Sequence, residues 1–174
     1  MGRKGNYKEV MIVSLNENRV KTKLVLMVGA PGSGKSTYIE NYPFAYPFAY
    51  VCSRDKIRFS KLKDGEEYFS HEKEVVKDYL NLIREKVKDC NFVIADATHM
   101  TRKSRYHVLK IGQENNCIVE AWVMDTPLND CIKNNEKREG IRKVPIHAIK
   151  KLFYSFEDPT ISEGFDIIRR VGGN

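Results

Sequence analysis

The stretch "KLVLMVGAPGSGKST", residues 23–37, decides the fold. It opens as a continuous apolar run closed by glycine, the pattern of a parallel strand covered on both faces. Residues 29–37, "GAPGSGKST", then fit G-x-x-x-x-G-K-[ST] through Gly29, Gly34, Lys35 and Ser36. The following "KSTYIENY" reads as a short helix. A strand before such a loop and a helix after it is the context in which the pattern cradles phosphate. Glycines let successive backbone N–H groups curl around a β-phosphate, and the helix N-terminus adds partial positive charge. Lys35 is expected to bridge β- and γ-phosphates and the Ser36 hydroxyl to ligate Mg²⁺. The nucleotide site on this reading runs through Gly29, Ala30, Pro31, Gly32, Ser33, Gly34, Lys35, Ser36 and Thr37, with Thr37 capping or packing the helix. A nucleoside triphosphate with Mg²⁺ is the expected ligand.

Working outward, apolar strands recur at "AYVCS", "NFVIADAT", "CIVEAWVMD" and "GFDIIRRV", separated by helical patterns. "SHEKEVVKDYLNLIREKVKDC" places Val76, Tyr79, Leu80, Ile83 and Val87 on one stripe, with Ser70 as its N-cap. "TRKSRYHVLKIGQENN" is a basic amphipathic helix. "PLNDCIKNNEKRE" and "PIHAIKKLFYSF" are helices opened by Pro127 and Pro145, the second with Ile146, Ile149, Leu152/Phe153 and Phe156 inward. Alternation of strands and helices predicts βαβ units: one α/β domain, a mainly parallel sheet of about five strands, and helices on both faces. Its core is expected over about residues 24–171, after a basic extension at 1–23 with one short strand at "EVMIVSL". The tandem "PFAY" across residues 43–50 reads as a loop duplication.

The length of 174 residues suits a single domain with a full core. A net charge of +7 leans towards polyanionic partners without proving one. Cys52, Cys90, Cys117 and Cys131 are widely spaced, without a C-x-x-C pair or metal-spaced histidines, and read as reduced thiols. His71, His99, His107 and His147 read as ordinary polar residues. No apolar run approaches the ~20 residues needed to span a bilayer. The N-terminus lacks a signal-peptide h-region, and Asn6 stands where myristoylation wants Ser or Thr. A cytoplasmic location without membrane association is the expectation.

Nucleotide binding alone is shared by GTPases, motor ATPases and small kinases. No N-K-x-D guanine motif is present, and no "DE" pair follows an apolar strand, so phosphoryl transfer to a bound acceptor is favoured. The second strand leads into "VCSRDKIRF", residues 51–59. Its Arg54-Asp55 and Arg58 admit two readings: an ion pair opening a surface helix, or a carboxylate base with a phosphate clamp beside it. A carboxylate is ionised at neutral pH and accepts a hydroxyl proton as the bond to phosphorus forms. Asp96, at the end of the third strand, is either an acceptor-side carboxylate near Mg²⁺ or the nucleophile, or a strand-end turn residue.

Taken in order, "GAPGSGKST", "SRDKIR", "VIADATHMTRKSR" and "NNEKREGIRKVPIHAIKKLFYSFEDP" resemble the kinase domain of bacteriophage polynucleotide 5′-hydroxyl kinase and its P-loop relatives, over roughly residues 24–170. The resemblance implies a P-loop fold with a short C-terminal lid and transfer of the ATP γ-phosphate to a 5′-hydroxyl of DNA or RNA. It assigns Asp55 the acceptor proton, Arg58 the acceptor phosphate and scissile γ-phosphate, and Arg54 the acceptor side. Arg138 matches the lid arginine on the donor phosphates, with Arg142 and Lys143 in the same loop as further donors or as a solvated turn. Two departures bear on specificity. The family's Asp-Thr, whose threonine touches acceptor phosphate, is here Asp96-Ala97-Thr98. A further arginine is replaced by Asn134. The basic helix, with Arg102, Lys103, Arg105 and Lys110, either borders the acceptor cleft or is a solvated face; Trp122 reads as core. Two other functions compete: a P-loop kinase of a small-molecule or nucleotide-sugar hydroxyl, and an ATP-dependent nucleic-acid-binding protein without acceptor chemistry.

Overall fold

The computed structural model describes residues 20–42 and 48–171. The short strand expected at "EVMIVSL" and most of the "PFAY" duplication lie outside the described residues. Within them the chain runs β1 (Lys23–Val28), α1 (Lys35–Asn41), β2 (Tyr50–Ser53), α2 (Arg54–Lys61), α3 (Glu72–Asp89), β3 (Phe92–Asp96), α4 (Arg102–Glu114), β4 (Ile118–Met124), α5 (Leu128–Glu136), α6 (Ile146–Tyr154) and β5 (Ile167–Val171). The five strands form one sheet in the order β2-β3-β1-β4-β5, and every pairing is parallel.

β1 sits at the centre and is buried from Leu24 to Val28. Leu24, Leu26 and Val28 face a cluster with Tyr79, Ile83 and Val87 of α3 and Val108, Leu109 and Ile111 of α4. Val25 and Met27 face the opposite side, against Ile39 of α1 and Trp122 of β4. Two apolar layers on an alternating strand explain why β1 reads as an unbroken hydrophobic run: each fully buried side chain is worth about 1.5–3 kcal/mol. Trp122 belongs to this core, with Tyr38 edge-on at 5.6 Å. None of the four cysteines forms a disulfide, and three of them are buried.

Three local expectations change. The buried stripe of α3 is Val75, Tyr79, Ile83 and Val87, so Val75 takes the place expected for Val76, which with Leu80 flanks the stripe. An unbroken spacing of four keeps every member over the sheet. The helix begins at Glu72 with His71 at its cap. Ser70 is drawn into the preceding turn, its N–H donating to the Glu67 carbonyl at 3.0 Å. In α6 only Ile149 is buried, while Ile146 and Phe156 are 42% and 37% exposed. That helix packs through Ile149 on Ala30, Cys131 and Val144, and its other side faces a cavity. No described helix is long and apolar enough to cross a membrane.

Histidine 99 departs from an ordinary polar role. It is 2% exposed and adopts a left-handed φ of 44° in the loop after β3. Its Nδ1–H donates to the Met27 carbonyl at 2.8 Å, and Nε2 meets the Tyr79 hydroxyl at 3.3 Å. Burial pushes its pKa down to about 3, so the folded state holds it neutral while the unfolded chain protonates near 6.5. Stability from this group is present above pH ~6.5 and is lost as pH falls from there towards about 3, by roughly 1.4 kcal/mol per pH unit. Denaturant titrations between pH 7 and mild acid should show this slope, and His99→Gln should flatten it. An unchanged slope in the variant would assign the acid sensitivity to other groups.

Candidate active site

The carboxyl ends of β2, β3 and β1 open side by side, since Ser53 is level with Asp96 and Leu26 with Ala95. Open α/β sheets bind ligands in the crevice beyond such strand ends. Here the crevice is a cavity of about 510 Å³, bounded by the residue 31–37 loop, the start of α2, the residue 68–72 segment, the end of β3 and the lid side of α6.

The glycine-rich loop is shaped by its neighbours. Gly32 and Gly34 have φ of 82° and 90°, where only glycine rests without strain. At Gly32 a Cβ would lie 2.1 Å from the Cys131 carbonyl oxygen of α5. The same helix donates from Asn134 Nδ2 to the Gly32 carbonyl at 3.0 Å, and Thr126 Oγ1 donates to the Ser33 carbonyl at 2.8 Å. Asn134, flagged in the sequence as a lost arginine, thus holds the loop to α5. Gly32→Ala should lower the melting temperature and abolish ATP binding. Strain alone costs about 1–3 kcal/mol, worth roughly 2–4 °C per kcal/mol in a chain of this size, and the backbone overlap adds to it. Wild-type melting and ATP titration in the variant would refute this account of the loop.

Pro31, Gly32, Gly34, Lys35, Ser36 and Thr37 line the cavity, whereas Gly29, Ala30 and Ser33 do not. Those three are buried beneath the loop, where Ala30 packs with Met100, Cys131, Val144 and Ile149. Lys35 Nζ donates to the Gly29 and Ala30 carbonyls at 2.8 and 2.9 Å. Burial lowers its pKa, opposed by the carboxylates Asp96 and Asp55 and reinforced by Arg138.

The opposite wall is built by α2. Its cap is Ser53, whose Oγ accepts from the Lys56 N–H at 3.4 Å. The capping job is therefore filled without Asp55, and that carboxylate, in the first turn, is half exposed. Asp55 Oδ1 accepts from Arg58 at 2.5 Å and from the Tyr68 hydroxyl at 2.9 Å. Arg58 is buried and also donates to Glu72 at 2.6 Å, and Arg54 pairs with the other oxygen of Glu72. Arg54 is thus not a solvated side chain. The Nε atoms of both arginines are buried without a protein hydrogen-bond partner among the described residues. Such buried unmet donors cost about 1–3 kcal/mol each. Burial raises the Tyr68 pKa to about 12, with Asp55 adding to the shift, so the phenol stays a donor.

Asp96 faces both sides. Burial raises its pKa, Lys35 opposes that shift, and Asp55 adds to it. Thr98 lines the same cavity, and its carbonyl accepts from the Gly29 N–H at 2.9 Å. Arg138 lies on the lid side of the cavity. Its loop is fixed by the fully buried Asn135, which donates Nδ2–H to the Val144 carbonyl at 2.8 Å and accepts from the Val144 N–H at 2.9 Å. Arg142 and Lys143 are exposed and lie outside the cavity lining.

The basic helix α4 does not border the cleft: none of its residues lines the cavity. Arg105 is fully buried in a two-point pair with Glu163 at 2.8 and 2.9 Å and donates to the His99 and Glu157 carbonyls. It holds the loop after β3 in place. Tyr68, Phe69, Glu72, His147 and Lys151 line the cavity and escaped the sequence reading. The last two were legible in principle: spaced four apart on α6, they share the side of the helix turned away from Ile149. Nothing marks Glu72 locally, since an acidic residue in a first helical turn is ordinary.

Comparison with known proteins extends this description. A family described as an AAA domain matches residues 24–159. The curated "Transcription factor bHLH140" of Arabidopsis thaliana is 25% identical over 164 residues, 89% of this chain and 16% of that protein. Among solved structures, a chain in "Structure of the Pnkp1/Rnl/Hen1 RNA repair complex" superposes with a TM-score of 0.66 and 25% identity, over 81% of this chain and 46% of that one. A gluconokinase from Sinorhizobium meliloti 1021 has a TM-score of 0.57 at 16% identity, over 89% and 84% of the two chains, a likeness of fold alone. The chain spans 16% of the length of the first of these proteins and 46% of the second.

Proposed function

Because the chain belongs to the AAA-domain family matched over residues 24–159 and has a P-loop kinase fold, we propose that it moves the γ-phosphate of ATP to a 5′-hydroxyl of DNA or RNA. One observation carries the reading: Asp55, held by Arg58 and Tyr68, lies across the same cavity from the glycine-rich loop and Lys35. A nucleotide-binding module without acceptor chemistry has no use for a carboxylate there. The likeness to a chain of an RNA repair complex supports a polynucleotide acceptor.

The residues divide the work. The loop amides and the α1 N-terminus receive the β-phosphate, and Lys35 turns from its own loop carbonyls to the β- and γ-phosphates. The Ser36 hydroxyl and the Asp96 carboxylate, both at the cavity, are the oxygen donors a Mg²⁺ ion takes alongside water and phosphate oxygens. Bound Mg²⁺ would neutralise charge developing on the transferring group. Arg58 and Arg54, which line the cavity beside Asp55, hold the acceptor phosphate. Asp55 then takes the acceptor proton as the oxygen bonds to phosphorus and the bond to the ADP leaving group breaks, while Arg138 meets the charge on the equatorial oxygens.

A small-molecule acceptor is the second reading, since a cavity of about 510 Å³ is in the range of small-ligand pockets. Incubation with Mg²⁺, γ-labelled ATP and either a 5′-hydroxyl oligonucleotide or free nucleosides and sugars separates the two. Label at the oligonucleotide 5′ end is the expected result. Transfer only to a small molecule would retain the kinase and discard the polynucleotide.

A further inference from the structure

Phe69 has no role in the chemistry above, yet its setting is unusual. It leaves 47% of its surface exposed inside a cavity otherwise lined on that side by Arg54, Asp55, Arg58 and Glu72. A free aromatic surface costs about 25 cal/mol per Å² left in water, so a ring held there fits a ligand that covers it. Its position is fixed. The Tyr68 ring packs edge-on at 4.8 Å and 77°, and the Arg58 guanidinium lies 5.6 Å from its centroid. Tyr68 in turn stands 4.5 Å under the same guanidinium, 6.2 Å from Phe59, and bonds Asp55. One rigid unit thus carries the proton acceptor, the phosphate clamp and an open aromatic surface, all on the wall opposite the glycine-rich loop.

From this juxtaposition we infer that Phe69 is a stacking platform for a nucleobase of the acceptor, namely the base of the nucleoside whose 5′-hydroxyl faces Asp55. The inference rests on the polynucleotide reading and extends it. A nucleobase offers the flat π-face that an aromatic ring accepts whatever the sequence, and stacking of this kind is worth about 1–3 kcal/mol per base by alanine substitution. With Arg58 on the phosphate and Phe69 under the base, the acceptor is gripped on both sides of its sugar. The 5′-hydroxyl is then the group left free to reach Asp55. An ordinary sugar or polyol lacks that face, so the platform would select nucleotide ends over small alcohols.

The test compares the intact protein with Phe69→Ala and Phe69→Trp on two oligonucleotides, one ordinary and one with an abasic residue at its 5′ end. Phe69→Ala should raise KM for the ordinary acceptor by about 5- to 150-fold, leaving KM for ATP and kcat little changed. Phe69→Trp should restore it. The abasic acceptor should be poor for wild type and no worse for Phe69→Ala. If wild type uses both acceptors equally, or if Phe69→Ala loses as much on the abasic one, the platform is wrong while the polynucleotide reading stands. If wild type phosphorylates neither, both fall.

Discussion

Replacing Asp55 by Asn will lower phosphoryl transfer by about 10²–10⁴-fold while leaving ATP affinity and folding close to wild type. The magnitude is that of a positioned general base. The argument for an undisturbed fold lies in the helix start: Ser53 caps α2, so Asp55 is not needed for it. The asparagine carbonyl can still accept from Tyr68 and Arg58, the two donors that hold Asp55. What it loses is the capacity to take a proton. Asp96, a further carboxylate of the cavity, provides the control. Its proposed place is beside Mg²⁺ with Ser36, so Asp96→Asn should affect the Mg²⁺ dependence more than Asp55→Asn does. Steady-state kinetics over a range of Mg²⁺ concentrations tests both. A variant of Asp55 that kept the wild-type rate, with ATP still bound, would remove the base and return the pair Asp55–Arg58 to a structural role.

The fold was legible in the sequence because its signals are local. An unbroken apolar strand, a glycine-rich turn and a helix occur within residues 23–41, and the parallel arrangement follows from the βαβ alternation. The nucleotide loop carries its own spacing. What was not legible depends on contacts between distant segments. Glu72 becomes part of the cavity wall only because α3 packs back against α2, where it holds Arg54 and Arg58. Arg105 sits in a helix whose charges suggest a solvated or phosphate-facing surface, yet Glu163, 58 residues on, draws it into the interior. Gly32 is not one of the glycines that the motif requires. Its need appears only once the Cys131 carbonyl of α5 is seen against it. The resemblance alone placed Arg138 ahead of Arg142, since nothing local distinguishes two arginines four residues apart in one basic turn. The Asn135–Val144 bonds fix the turn so that the first faces the cavity and the second faces out.

That difference sets the second large effect. Arg138→Ala should reduce kcat by about 10³–10⁵-fold, the range found when an arginine is removed from a transferring phosphoryl group, and Arg142→Ala should leave it near wild type. The lid loop keeps its shape in both, because Asn135 and not either arginine anchors it. Arg138 is half-buried at the cavity and makes no ion pair among the described residues, so its charge is unspent within the protein. It already depresses the Lys35 pKa; two cations held in one electrostatic field call for an anion between them. Arg138→Lys separates charge from geometry: lysine restores the charge without the planar fork that spans two phosphate oxygens, so recovery should be partial. Binding of ATP should weaken far less than turnover, since charge builds on the equatorial oxygens mainly in the transition state. Equal losses for Arg138→Ala and Arg142→Ala, or a loss confined to the KM for ATP, would place Arg138 in nucleotide binding and leave the transferring phosphate to Lys35 and Arg58.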